Sequence, residues 1–563
     1  MRRLSLLLLV LSISVPAVAQ RAVTEDTPLR PVTRTFALSN ARVVQAPGQV
    51  LDNATVVIRD GLIEAVGSNV TIPFDAEVIE ADSLTVYAGF IDGLGYAGVA
   101  KPEAERPDID NPDEPPRAVA GLTPDRDVRA LLKVNDNRIT QLRELGFAAA
   151  HVAPRDGFLA GRTALVLLAG DTPEAMVLRG DVAQLAQFDT APGAYPATPM
   201  AIIARIREVM QQASDLGEAA ASYAEEPAGR GRVAYDPVLD ALAPTVRGDQ
   251  PVLFVVDDSN EAFRALKLSQ DTGANVLLAG LTDPMALADR MAEEDRPLLL
   301  SLDLPDALEA EDADSTASES HQAATRTFSY ESLDAETATL QSKRRAAMEL
   351  VESGARLLDS LDVAFAFALL DMKPGEVQSN LRRLIDAGLP EDAALAALTT
   401  TAAEMFDVDA MVGTVEAGKM ANLVVTNGSY FDAETTVQMV FVDGHKFELA
   451  SEAPPEGADP DAVVEAMGTW DYTADVSGQT TSGTFTLEGE ADNLTGSITT
   501  DQLGTVTLDS VSLEGNVLTM VFSAEGMGRI TGSGLIEGDT FTGTLELAGG
   551  DFTIPIEATR RPE

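Results

Sequence analysis

The sequence predicts a mixed α/β chain: a (β/α)8 barrel inserted in a composite β-sandwich, followed by a separate antiparallel β domain. Three observations carry this. Strand-rich pieces near the start ("TFALSNARVV", "ATVVIRDGLIEAVG", "AEVIEADSLTVYAGFID") and others more than three hundred residues later ("GTVEAGKMANLVVTNGSYF", "TVQMVFVDGHKFEL") flank one long central stretch. Short apolar runs alternate there with helix-like segments, which implies βα units and a parallel sheet. In the last hundred residues, apolar and polar positions alternate between glycine turns.

The elements follow in chain order. "MRRLSLLLLVLSISVPAVAQ" has the basic start, apolar run and small-residue end of a secretory signal over 1–19, so the expected mature chain begins at Gln20 and is exported to the periplasm. The apolar run is shorter than the roughly 20 residues that span a bilayer, and no later segment is longer, so no membrane span is expected. The sandwich is expected from 35–86 together with 412–449, with Asp60-Gly61 as the turn of a hairpin. The barrel occupies 87–411. Its strand candidates are "YAGFID", "GFAAAHVAP", "PVLFVVDD", "ANVLLAG", "RPLLLSLD" and "DVAFAFALL", with helices such as "SNEAFRALKLSQDTG" between them. Residues 307–327 are acidic, lack periodicity and are expected to form a loop near the barrel mouth. A linker over 450–464 leads to the all-β domain, 465–563, in which Trp470 reads as a core residue.

Composition narrows the function. The formal net charge is −49, which repels nucleic acid and anionic surfaces, and with acidic residues spread along the chain it fits a salty exterior. Cysteine is absent, which excludes disulfides, thiolate metal sites and a thiol nucleophile. No strained-elbow serine motif occurs, and the Gly-rich "EGMGRITGSG" sits among β turns rather than ahead of a helix.

"YAGFIDGLGYAGV" (Tyr87 to Val99) and "ALTTTAAEMFDVDAMVGTVEAGKMANLVV" (Ala397 to Val425) resemble the amidohydrolase superfamily, in particular its exported imidazolonepropionase-like branch. The resemblance spans Thr35 to Leu449 and implies a barrel whose C-terminal mouth holds one or two divalent metals. The family's ligands are two histidines after strand 1, often a carboxylated lysine on strand 4, histidines on strands 5 and 6, and an aspartate on strand 8. A metal there would activate water for attack on a carbonyl.

Carried across position by position, the pattern breaks. Asp92 matches the family aspartate, but Leu94 and Tyr96 stand where the two histidines belong. The strand-5 position falls near Val255 and the strand-6 position near Ala279. The strand-8 aspartate aligns with Leu370, and Asp371 is one residue late. No lysine lies between Lys133 and Lys267. The whole chain has three histidines, His151, His321 and His445, too few and too dispersed for the family's site. Only His151 falls in a barrel strand, where a core role competes with a binding one.

Three functions follow as expectations. The first is a non-catalytic relative that binds a small molecule or protein partner at the old mouth, through residues such as Tyr96, His151, Asp257, Asp258 and Asp303, with no cofactor. The second is a hydrolase acting on carbon–nitrogen bonds through a divalent metal held by oxygen ligands, Asp92, Asp257, Asp258, Asp303 and Asp371 being the candidates at predicted strand ends. The third is a cell-envelope structural or interaction protein centred on the last domain. Self-association into a homo-oligomer is left open.

Overall fold

A computed structural model describes residues 35–101, 111–189, 193–305, 330–433, 435–449, 457–458, 462, 464–476, 479–490, 493–500, 504–508, 510–524, 528–547 and 552–561. The expected signal segment, the acidic stretch 307–327 and most of the linker lie outside the described residues. The first and last parts of residues 35–449 meet in one eight-stranded sheet. Thr85–Ala88 pairs with Leu423–Thr426, Leu423 opposite Ala88, so chain segments over three hundred residues apart share a ladder. Gln49–Arg59 and Leu62–Gly67 form the expected hairpin. Its two turn residues, Asp60 (φ 50°) and Gly61 (φ 84°), both take the left-handed conformation a tight hairpin turn requires. Leu38, Val56, Ile58, Val86, Leu423 and Phe441 pack into one core beneath this sheet.

The central region holds two further sheets. One runs Val177–Arg179, Ala164–Leu167, Phe147–Val152, Phe90–Gly95; the other runs Phe365–Ala368, Leu298–Ser301, Val276–Leu281, Val252–Val255, Gln184–Gln187, Leu159–Arg162. Each expected strand is present, and the five strands from Gln184 to Ala368 pair in parallel. Most of their side chains are buried, as expected for a parallel sheet covered on both faces.

The sheets meet at two seams. At one, the Leu370 N–H donates to Leu94 O at 2.8 Å, joining the last strand to the first. At the other, the Thr163 N–H donates to Ala183 O at 2.9 Å, where Leu159–Arg162 passes into Ala164–Leu167.

The departure from a ring of eight parallel strands lies in this second seam, where both segments pair antiparallel. The reason is length. Only residues 153–158 separate Val152 from Leu159, and a parallel crossover needs about a dozen residues, so the chain must reverse. Where room exists, helices return. Pro199–Glu225 starts at a Thr198 cap with proline in its first turn, and Ser259–Thr272 starts at an Asp258 cap.

The final domain is a nine-stranded antiparallel sheet, in which Gly468–Val476 pairs with both its sequence neighbour Gln479–Glu490 and the last strand Phe552–Arg560. Trp470 is fully buried, stacks on Phe485 at 5.8 Å and donates its indole N–H to Ala466 O at 2.9 Å. Trp470→Ala is therefore expected to cost this domain about 3 to 5 kcal/mol. Calorimetric unfolding of the full chain would check it, since only the transition of this domain should move down in temperature.

Candidate active-site mouth

Asp92 lies on Phe90–Gly95, buried beside the seam with the last strand. Its Oδ1 accepts two backbone N–H bonds, from Leu94 at 3.1 Å and Leu369 at 3.0 Å. Oδ2 has no partner. Burial raises its pKa to about 6, against the opposing pull of the Leu369 N–H bond and the Arg138 charge. Gly93 and Gly95 allow this close approach: a Cβ on Gly93 would lie 2.7 Å from Phe367 O, and one on Gly95 would lie 2.2 Å from Asp92 Oδ2. Asp92 thus cross-links the first and last strands through the backbone.

Above it, at the C-terminal ends of the parallel strands, apolar side chains converge. Leu94 is fully buried and Tyr96 half-buried in the central core. Leu370 reaches across toward Val255 and Ala279, the positions at which the resemblance places the strand-5 and strand-6 ligands. A Cβ on Gly280 would meet Val255 Cγ1 at 3.3 Å and Leu370 Cδ1 at 3.5 Å, and Ala279 beside it is fully buried. Leu370 itself has φ +46°, a left-handed conformation that bulky residues rarely adopt. Every other non-glycine residue with positive φ among those described is Asn or Asp. Its N–H bond to Leu94 O and its carbonyl bond from Arg138 Nη2, at 3.2 Å, hold it there.

Two arginines complete the mouth. Arg138, at the start of Asn137–Glu144, also donates to Met372 O and thereby ties the chain leaving the last strand. Arg155 lies over the Tyr96 ring, its guanidinium carbon 3.9 Å from the centroid, and pairs with Asp371 at 2.8 Å. Burial, followed by the charge of Asp371, pushes the Tyr96 phenol up to about 12, so it stays neutral at physiological pH.

The remaining candidates do not converge. Asp371 faces out toward Arg155 and is 62% exposed. Asp258 is exposed and caps a helix, accepting the Glu261 N–H at 2.8 Å, while the Asp257 N–H donates to the Glu261 carboxylate. Asp303 is exposed beyond Leu298–Ser301, its N–H on Ser301 Oγ. His151 is buried in the wall against Phe406, away from the rim. Its Nδ1 lies 3.0 Å from Gly93 O and its Nε2 lies 2.7 Å from Thr163 Oγ1. A carbonyl can only accept, so Nδ1 carries the proton and Nε2 accepts from the threonine. Burial lowers its pKa to about 4. His445 is exposed on the composite sheet, and His321 lies outside the described residues.

These side chains do not fit a divalent metal. Among the described residues, no group of three His, Asp or Glu could hold one. The one buried carboxylate below the mouth is engaged on the backbone, and two cationic guanidinium groups stand nearby. Arg138, Arg155 and Thr163 did not emerge from sequence reasoning. Each acts on partners distant in the chain, and no local spacing announces them.

Comparison with known proteins agrees with the fold. Residues 301–447 match the Amidohydrolase family. An amidohydrolase from Thermotoga maritima MSB8 superposes with a TM-score of 0.58 at 18% identity, over 73% of this chain and all of that one. A second amidohydrolase superposes at 0.41 and 16% identity over 74% and 100% of the two chains, and a prolidase complexed with N-methylphosphonate-L-proline at 0.42 and 16% over 74% and 99%. No curated protein matches the sequence.

Proposed function

We propose that this member of the amidohydrolase superfamily binds a small molecule or protein partner at its barrel mouth and does not hydrolyse it. One observation carries the reading. The positions at which the family resemblance places metal ligands hold Leu94, Tyr96, Val255, Ala279 and Leu370, all of which lie in or against the central core, with Val255 and Leu370 both beside Gly280. Leucine, valine and alanine have no lone pair to give a metal, and tyrosine donates only when its phenol ionises, which burial opposes here. Fold alone does not decide activity, so the reading rests on these side chains.

A carboxylate-built metal site finds less support. Asp257, Asp258, Asp303 and Asp371 are all exposed, and Asp258 and Asp371 are already engaged in a helix cap and an ion pair. Export to the periplasm belongs to the same proposal and rests on the first nineteen residues, with N-terminal sequencing of the secreted chain as its check.

Chelation tests the functional reading. A metal that binds only the native state adds to its stability by mass action, about 4 kcal/mol at a thousandfold excess over Kd. The thermal midpoint of the full chain is expected to stay unchanged when EDTA, zinc, manganese or magnesium is added. A midpoint that drops with EDTA and returns with one of these ions would overturn the reading.

A further inference from the structure

We propose that the mouth is a receptor for a planar cation of the guanidinium class, and that Arg155 occupies it as an intramolecular stand-in. This rests on the binding reading above and gives it a ligand chemistry. The guanidinium of Arg155 lies 3.9 Å over the Tyr96 ring. Its Nη1 meets Asp371 Oδ2 at 2.8 Å, and its Nε donates to Val99 O at 3.2 Å. An aromatic face, a carboxylate and a carbonyl that accept from two different nitrogens of one guanidinium are the elements that recognise a flat, multiply donating cation. A compact ammonium would satisfy the first two and miss the geometry of the third.

Two features distinguish this from a rim ion pair. The backbone that carries Arg155 is fixed independently of its side chain. Arg155 O accepts from Arg126 Nη1 at 3.0 Å, the Gly157 N–H donates to Asp189 at 2.8 Å, and Gln187 Nε2 donates to Gly157 O at 3.0 Å. The guanidinium can therefore leave without dragging the loop, and an incoming cation remakes the contacts it lost. Carboxylates supply the attraction: the charges of Asp371, Asp156 and Asp189 bear on the Tyr96 phenol against that of Arg155, and once Arg155 moves away Arg138, also near Asp371, remains as the opposing cation.

The test is a titration of the full chain with methylguanidinium, and with methylammonium at equal ionic strength, followed by NMR or thermal shift. Arg155→Ala is expected to bind methylguanidinium at least about tenfold more tightly than the wild type does, because the internal competitor is gone. It should also prefer methylguanidinium to methylammonium by a similar factor, and the double variant Arg155→Ala/Asp371→Ala should lose both effects. If Arg155→Ala does not fold, Arg155→Ser, which likewise bares the Tyr96 face, takes its place. Equal affinity of variant and wild type, or no preference over methylammonium, would overturn the inference. That failure, in a chain that is indifferent to chelator, would leave the binding reading standing. A chelator-sensitive chain would instead remove the reading itself.

Discussion

Asp92→Asn is expected to stabilise the chain by about 2 kcal/mol at pH 7 and to have little effect near pH 4. The carboxyl has a native pKa of about 6 against an ordinary value of 3.8. Between those values the native state holds a proton that the unfolded chain has lost, so stability falls as pH rises through the window. The charge at neutral pH therefore costs about 3 kcal/mol. Asparagine keeps an Oδ1 for the Leu94 and Leu369 N–H groups and removes the charge. Its amide leaves one hydrogen bond unmade where Oδ2 had none, at about 1 kcal/mol, so a gain remains. Denaturant unfolding from pH 4 to pH 8 measures it. A neutral-pH loss of stability in Asp92→Asn would mean that the native state needs the charge, as a metal ligand would.

His151→Leu is expected to do the opposite. It strands Gly93 O, which is bonded to the imidazole, and removes one bond at Thr163 Oγ1, which keeps its bonds to Ala183 O and the Ala183 N–H, at about 2 to 3 kcal/mol at pH 7. The wild-type imidazole has a pKa of about 4 against an ordinary 6.5. As pH falls from 6.5 to 4, the unfolded chain takes up a proton that the native state refuses, and stability is lost by about 3 kcal/mol. The leucine variant lacks that loss, so its deficit closes toward zero by pH 4. Asp92 and His151 thus oppose each other between pH 4 and 6 with similar magnitudes, and their joint contribution is nearly flat there. Each single variant should unmask the slope of the other: Asp92→Asn becomes more acid-labile and His151→Leu less so. Parallel pH profiles for both variants and the wild type would contradict this.

Much of the fold was legible because its signals are local. Asp60-Gly61 requires left-handed turn residues and has them, and the apolar runs around Phe254, Leu278, Leu299 and Phe367 are the buried parallel strands. The strands of 159–187 were not legible. "GFLAGRTALVLLAG" is an apolar run without a crossover helix, and its antiparallel direction follows from the short 153–158 connection. At the site, the strand-8 register could not be fixed between Leu370 and Asp371. The structure turns Leu370 inward toward Gly280 and Asp371 outward to Arg155. Asp257 and Asp258 looked like mouth carboxylates because they follow a strand. The pattern Asp258-Ser-Asn-Glu261 equally describes a helix start, and that is its use. Arg138 and Arg155 reach residues more than two hundred positions away, a juxtaposition only the folded chain creates.

Under the function proposed above, apolar packing and two arginines stand at the mouth in place of a metal. The most direct test is the metal content of the full chain, purified without chelator or affinity metal and measured by elemental analysis. Far less than one divalent ion per chain is expected, with no change after dialysis against zinc or manganese followed by buffer. One tightly held ion per chain, lost from Asp92→Asn, would contradict it.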